Sequence, residues 1–400
     1  MSMSTKSRAA HATARTHSRD TFPGQIVLVL QGGGALGAYQ AGVFEALHEA
    51  GVEPDWVIGT SIGAINAAII AGNTHEHRLA GLKTFWSRVE QRSGHDFLSF
   101  WSSLTNLGAN LTTVSQGIPC FFTPNFPAWL GLHAPLGVEA AAYYTTSPLA
   151  ATLADLVDVE QINQCKVRLT VGAVNVRNGE MRYFDSREEP LTIDHVLASG
   201  ALPPAFPAVR IEGDPYWDGG IFSNTPIEAV LDDNPRKDSV IFNVQLWNPE
   251  GPEPETLWQV MGRQKDIQYA SRSKSHIARQ KQIHHLRHVI RELYKHVPEK
   301  LRNSAAVREL NGWGCGTTMH IVRLLSPGVD GEDHTKDIDF TPEGIRARWR
   351  AGYADTMRML AAAPWTQPTD PVEGVIIHQD PARPEPKLAR GIDGFSGRTR

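Results

Sequence analysis

A chain of 400 residues with a formal net charge of −4 and 41% hydrophobic residues is long enough for one large domain or two ordinary ones, with a sizeable core. The mildly acidic balance gives no global argument for a nucleic-acid partner, and no run of 18 apolar residues is present to cross a membrane as a helix. Three widely separated cysteines (Cys120, Cys165, Cys315) show no metal-ligand spacing and fit reduced thiols in a cytoplasmic protein better than a disulfide framework.

The first 22 residues are basic, rich in Ser and His, and lack the apolar segment of a secretory signal. They read as a disordered tail, with a transit peptide as the sharper alternative. Gln25 to Leu30 (QIVLVL) is a short apolar run rich in β-branched residues, the pattern of a buried parallel strand. QGGGALGAYQAG follows, a glycine-rich turn opening a helix that ends near Gly51. Such a turn brings backbone N–H groups close to something negative, either a nucleotide phosphate or the oxyanion of an attacked ester. Trp56 to Ile58 is a second strand, followed by a sharp turn and a small-residue helix from Ile62 to about Ala71. This is one βαβ unit, so the two strands run parallel and close together.

Residues 95–147 hold Phe97, Phe100, Trp101, Phe121, Phe122, Phe126, Trp129, Tyr143 and Tyr144 among Pro and Gly, with no clean period. The segment reads either as packed core or as the apolar wall of an acyl site. From Lys166 the α/β pattern returns, with two strands around the Asn178–Gly179 turn and a helix from Leu191 to Ser199. ALPPAFPAV is a proline-stiffened loop, YWDGG a turn and SVIFNVQLW a strand. Residues 255–310 are mostly helical, and another helix spans 341–363 with Thr341 or Pro342 at its start. The chain thus divides into a tail (1–22), an α/β domain (23–250), a helical extension packed on it (251–365) and a second disordered tail (366–400).

The second turn, Gly59-Thr60-Ser61-Ile62-Gly63, is a G-x-S-x-G between an apolar strand and a small-residue helix. That context exposes a serine on a tight strand-to-helix turn, beside the positive end of the helix dipole. Loop 32–37 and Ser61 both emerge at the carboxyl edge of the sheet, where ligands bind in open α/β folds. An oxyanion beside Ser61 fits the glycine amides. The rival is a dinucleotide site, since GGGALG also satisfies G-x-G-x-x-G. Such a site wants an acidic residue ending the second strand, and here that strand ends in Gly-Thr-Ser, with Glu53 and Asp55 before it.

Three segments together, GGGALG (Gly32–Gly37), GTSIG (Gly59–Gly63) and DGG (Asp218-Gly219-Gly220), resemble the motifs of patatin-like phospholipases, in family order. The resemblance covers roughly residues 25–250, and the C-terminal part is similar to the helical region carried by a bacterial branch of that family. It implies a three-layer α/β/α fold with a mostly parallel central sheet plus C-terminal helices. It also implies a catalytic dyad of Ser61 and Asp218, an oxyanion hole from Gly32, Gly33 and Gly34, and motif glycines Gly37, Gly59, Gly63, Gly219 and Gly220.

Read without the resemblance, Asp218 has a plain alternative as the cap of its own turn. A serine hydroxyl nevertheless needs a proton acceptor, and a partly desolvated carboxylate can serve. The order Ser, acid, His offers His276, His284, His320 and His378 as rivals, and none lies in a recognisable histidine loop. Pro203, Pro204 and Pro207 stiffen a loop that either shapes an acyl channel or is a structural turn. Residues 262–302 carry eleven Lys/Arg against three acids, which reads as an anionic-membrane contact or as a solvated face balancing acidic surface elsewhere. No motif supports nucleic acid, and no metal or cofactor is expected. The expected activity is serine hydrolysis of lipid esters in the cytoplasm or peripherally at a membrane. The alternatives are another ester, such as a storage polyester, and a scaffold that has lost turnover.

Overall fold

The computed structural model describes residues 18–90, 118, 120–127, 133, 135–328, 334–370, 372–380 and 382. In chain order the strands are β1 (Gln25–Leu30), β2 (Trp56–Gly59), β3 (Thr123–Pro124), β4 (Tyr144–Thr145), β5 (Arg168–Asn175), β6 (Met181–Asp185), β7 (Val209–Ile211), β8 (Asp214–Asp218), β9 (Ser239–Gln245), β10 (Met319–Leu325) and β11 (Val375–Gln379). The principal helices are α1 (Ala38–Glu49), α2 (Ile62–Ala71), α3 (His75–Val89), α4 (Ser147–Leu156), α5 (Ile193–Ser199), α6 (Leu257–Lys295) and α7 (Pro342–Ala362).

The main sheet has nine strands, ordered β11-β10-β9-β1-β2-β5-β8-β7, with β6 also paired to β5. The run from β11 to β5 is parallel, and β6, β7 and β8 are antiparallel. The unbroken apolar sequence of β1 follows from its central place. Ile26, Leu28 and Leu30 face the layer that contains α1 and α2, while Val27 and Val29 face Ile227, Val230, Leu231 and Ile277 of the opposite layer. This is the expected three-layer α/β/α arrangement with a mostly parallel sheet.

The C-terminal third departs from a purely helical extension. β10 pairs in parallel with β9, and β11 with β10, so the sheet continues across the expected boundary at residue 250. The tail expected from residue 366 contains β11, whose VIIHQ sequence has the β-branched content of a strand. Helix α7 packs along α1, tied by a 2.8 Å hydrogen bond from the Tyr39 hydroxyl to Asp355. Of the aromatic segment, Phe97, Phe100, Trp101 and Trp129 lie outside the described residues.

The long basic helix is partly neutralised by the rest of the fold. Lys265 pairs with Asp337 at 2.8 Å, Lys274 with Glu250 at 2.9 Å and Lys281 with Glu373 at 3.2 Å. Among the described residues, no helix is long and apolar enough to cross a membrane.

Candidate active site

The turn after β2 folds as its sequence requires. Ser61 has φ 57° and ψ −125°, a left-handed conformation rare for a residue with a side chain. Ser199 fixes it: the Ser61 amide donates to both the carbonyl and the hydroxyl oxygen of Ser199 at 3.1 Å, and that hydroxyl donates to Gly172 O at 2.6 Å. Gly63 is required for the return of the chain, since a Cβ there would lie 2.2 Å from Leu30 O. Ser61 thus precedes the first turn of α2, where the Ile62 amide has no acceptor among the described residues.

Asp218 reaches this turn through sheet register. β2 occupies one edge of β5 from Arg168 to Val171 and leaves it at Gly59. β8 joins the carboxyl end of β5 with Asp218 opposite Ala173, while β6 covers the span from Thr170 to Val174. One residue can pair along only two edges, so β2 and β8 meet end to end and bring Asp218 to Ser61. The Asp218 carboxylate accepts a hydrogen bond from the Gly220 amide at 2.7 Å, and the Ser61 hydroxyl lies near enough to favour its charged form. Turn-capping and contact with the serine therefore coexist in one side chain. YWDGG is the end of a strand leading into a one-turn helix, Gly219–Ile221, rather than a free turn.

Asp218 is buried, and desolvation pushes its carboxyl from 3.8 up to about 7 against the Gly220 hydrogen bond and the nearby Ser61 hydroxyl, which favour the charged form. The native state therefore keeps a proton that the unfolded chain releases. Its stability declines as pH rises through this window, by about 4 kcal/mol in all at 1.36 kcal/mol per unit. Asp218→Asn removes that ionisation and keeps an acceptor for Gly220. At pH above about 7 the variant should withstand more denaturant than the wild type, with the gap closing as pH falls toward 3.8. Equal denaturation midpoints above pH 7 would show that burial does not raise this carboxyl.

The glycine loop lies beside the serine: a Cβ on Gly32 would sit 3.1 Å from Ser61 Cβ. Gly32 does not present its amide, however. That N–H donates to Asn224 O at 3.1 Å, and Gly32 O accepts from Asn224 Nδ2 at 3.0 Å and Trp247 Nε1 at 2.8 Å. The expectation of three donor glycines is corrected on this point. Gly32 is the clamped base of the loop, while the amides of Gly33 and Gly34 have no acceptor among the described residues. Gly34 adopts φ 55°, and a Cβ there would meet Asp337 O at 2.2 Å. Gly37 ends the short helix Gly34–Gly37 that leads into α1.

Above these groups is a cavity of about 270 Å³, lined by Gly32–Gly34, Ser61, Ile62 and Asp218 and walled mainly by apolar side chains. Phe121, Phe122 and Tyr144 of the aromatic segment belong to its wall, as do Leu202 and Phe206 of the proline-stiffened loop, whereas the three prolines do not. Tyr269, Asp337 and Phe340 bring the C-terminal third to it. Among the described residues, no histidine lines it. His276 bonds Glu228, His284 bonds Leu231 O, and His320 and His378 bond each other at 2.9 Å. Sequence reasoning missed Ser199, Asn224 and Trp247, which act on the site through backbone groups and carry no motif of their own.

A family model described as patatin-like phospholipase matches residues 28–231, and a second, described as patatin phospholipase, matches residues 267–372. "Lysophospholipase nte1" of Aspergillus terreus is 43% identical across 64% of this chain and 17% of its own length. A "cGAMP-activated phospholipase" of Pseudomonas aeruginosa is 26% identical across 51% of this chain and 55% of its own. The chain thus spans less than a fifth of the fungal relative. VipD from Legionella pneumophila, at 17% identity and a TM-score of 0.36, covers 85% of this chain and 67% of its own, a likeness too slight to carry weight. The match from residue 28 to residue 231 takes in about half of the chain, from β1 through the glycine loop and Ser61 to Asp218, and it makes this protein a member of the patatin-like phospholipase family.

Proposed function

We propose that the protein is a serine acyl hydrolase acting on carboxylic esters of lipids, with Ser61 as nucleophile and Asp218 as its proton acceptor. One observation carries the reading: a buried aspartate and a serine on a strained strand-to-helix turn sit side by side at the base of an apolar cavity. Ser61 Oγ attacks the ester carbonyl carbon, and its proton passes to the Asp218 carboxylate. The carbonyl oxygen takes up negative charge beside the amides of Gly33, Gly34 and Ile62. Collapse breaks the ester C–O bond, the leaving alcohol takes the proton from Asp218, and an acyl-serine remains. Water then attacks the acyl carbon, Asp218 takes its proton, and the Ser61–acyl bond breaks as Asp218 returns that proton to Ser61 Oγ, releasing the carboxylic acid and restoring the starting state. The apolar wall supports an acyl chain as the buried portion of the substrate, and the family supports lipid esters as the class.

A fluorophosphonate probe tests the reading directly. It should label the wild type and fail to label Ser61→Ala. Absence of labelling in folded wild type would favour a scaffold without turnover. Activity also inherits the titration of Asp218. The carboxyl is protonated below about 7 and cannot accept the serine proton, so log kcat/KM should fall with unit slope as pH drops below that value. A profile that stays flat well below it would assign the proton to another group.

A further inference from the structure

The first turn of α6 carries four large apolar side chains around Gln259. Leu257, Trp258, Val260 and Met261 are 75%, 55%, 45% and 42% exposed. The turn is a built helix start and not a frayed end, since Thr256 and Gln259 form a reciprocal capping box. Four large apolar side chains within five residues exceed the scattered exposure of an ordinary surface.

This turn shares a helix stripe with a residue of the cavity wall. Positions 258, 262, 265 and 269 fall on one stripe of a helix. Trp258 lies over His334 with ring centroids 4.2 Å apart, and Gly262 faces the His334 backbone. Lys265 pairs with Asp337 at 2.8 Å, and Asp337 and Tyr269 both line the cavity. The exposed turn therefore stands about 16 Å along the helix from the cavity wall, at 1.5 Å per residue.

Charge near the turn is balanced. Glu253 and Glu255 precede it. Arg263 donates to the backbone oxygens of Asn248 and Pro249, and Lys336 pairs with Asp266 at 2.6 Å. Nothing there selects an anionic surface. A Trp beside aliphatic side chains suits the boundary between lipid headgroups and acyl chains.

We propose that Leu257, Trp258, Val260 and Met261 insert into a zwitterionic phospholipid surface and hold the cavity against it. The inference rests on the lipid-hydrolase reading, because it supplies the route by which a poorly soluble ester reaches Ser61. It also separates membrane contact from the basic residues of 262–302, whose lysines are partly paired within the fold.

Phosphatidylcholine vesicles test it, with Ser61→Ala as the background so that lipid is not consumed. Co-sedimentation should occur and should change little between about 0.1 and about 1 M salt, because screening does not act on apolar insertion. Leu257→Asp and Trp258→Asp should each weaken it at least about tenfold. Leu257 is the safer variant for folding, since it is largely exposed and an acid in the first turn suits a helix. In the otherwise wild-type chain both substitutions should leave turnover of a soluble short-chain ester unchanged.

The proposal is overturned if phosphatidylcholine is not bound. It is also overturned if binding needs anionic lipid and is lost in salt, which would return the contact to the basic stretch. A dimer that both variants dissociate would overturn it by showing that a second copy covers the turn. Turnover of the soluble ester that survives Ser61→Ala would instead sink the hydrolase reading, whatever the vesicles show.

Discussion

Ser61→Ala and Asp218→Asn each lower ester hydrolysis on the order of 10⁴-fold or more, and combining them costs little beyond either alone. In the proposed dyad one proton passes between the two side chains, so removing either should disable the same step. Neither change should disturb the fold. Alanine at φ 57° is no more strained than serine, and the Ser61 backbone keeps its bonds to Ser199. Asparagine is nearly isosteric with aspartate and retains an oxygen for the Gly220 amide. Initial rates on a chromogenic ester, with circular dichroism as the fold check, decide the matter. A folded Asp218→Asn protein that keeps near-wild-type turnover would refute the dyad and send the search to another base.

Gly33→Val lowers kcat by about 100- to 1000-fold while changing KM far less, the loss typical of an oxyanion donor. A Cβ at Gly33 would lie 2.9 Å from Leu246 Cδ1 and 3.1 Å from Trp247 Nε1. That indole nitrogen is the donor that holds Gly32 O. A β-branched side chain would push the loop off Trp247 and displace the amides of Gly33 and Gly34, which as proposed oxyanion donors should act more strongly on the transition state than on the bound ester. Steady-state kinetics on a single ester separates the two parameters, and an unchanged kcat would remove the loop from the mechanism.

Much of the site was legible before any coordinate. The apolar runs of β1 and β2, the glycine turn, the elbow at Ser61 and the boundaries of α2 are local features. Each follows from period, turn chemistry or capping within a dozen residues. Their mutual placement was legible too, because a single βαβ connection leaves little freedom to two parallel neighbours. Asp218 was legible as a candidate through its DGG context and the resemblance, but the strand register that brings it to Ser61 was not.

Tertiary structure decided the rest, because those facts depend on partners far away in the chain. β8 reaches Ser61 only because β2 leaves the edge of β5 where β8 joins it. Gly32 loses its donor role to Asn224, and Ser199 holds the elbow from the end of α5, neither of which any spacing announces. β10 and β11 extend the sheet beyond the segment that the motifs cover. The charge of α6 is the plainest case: a sequence counts lysines, but whether a lysine faces solvent or Asp337, Glu250 or Glu373 is fixed only when distant segments pack.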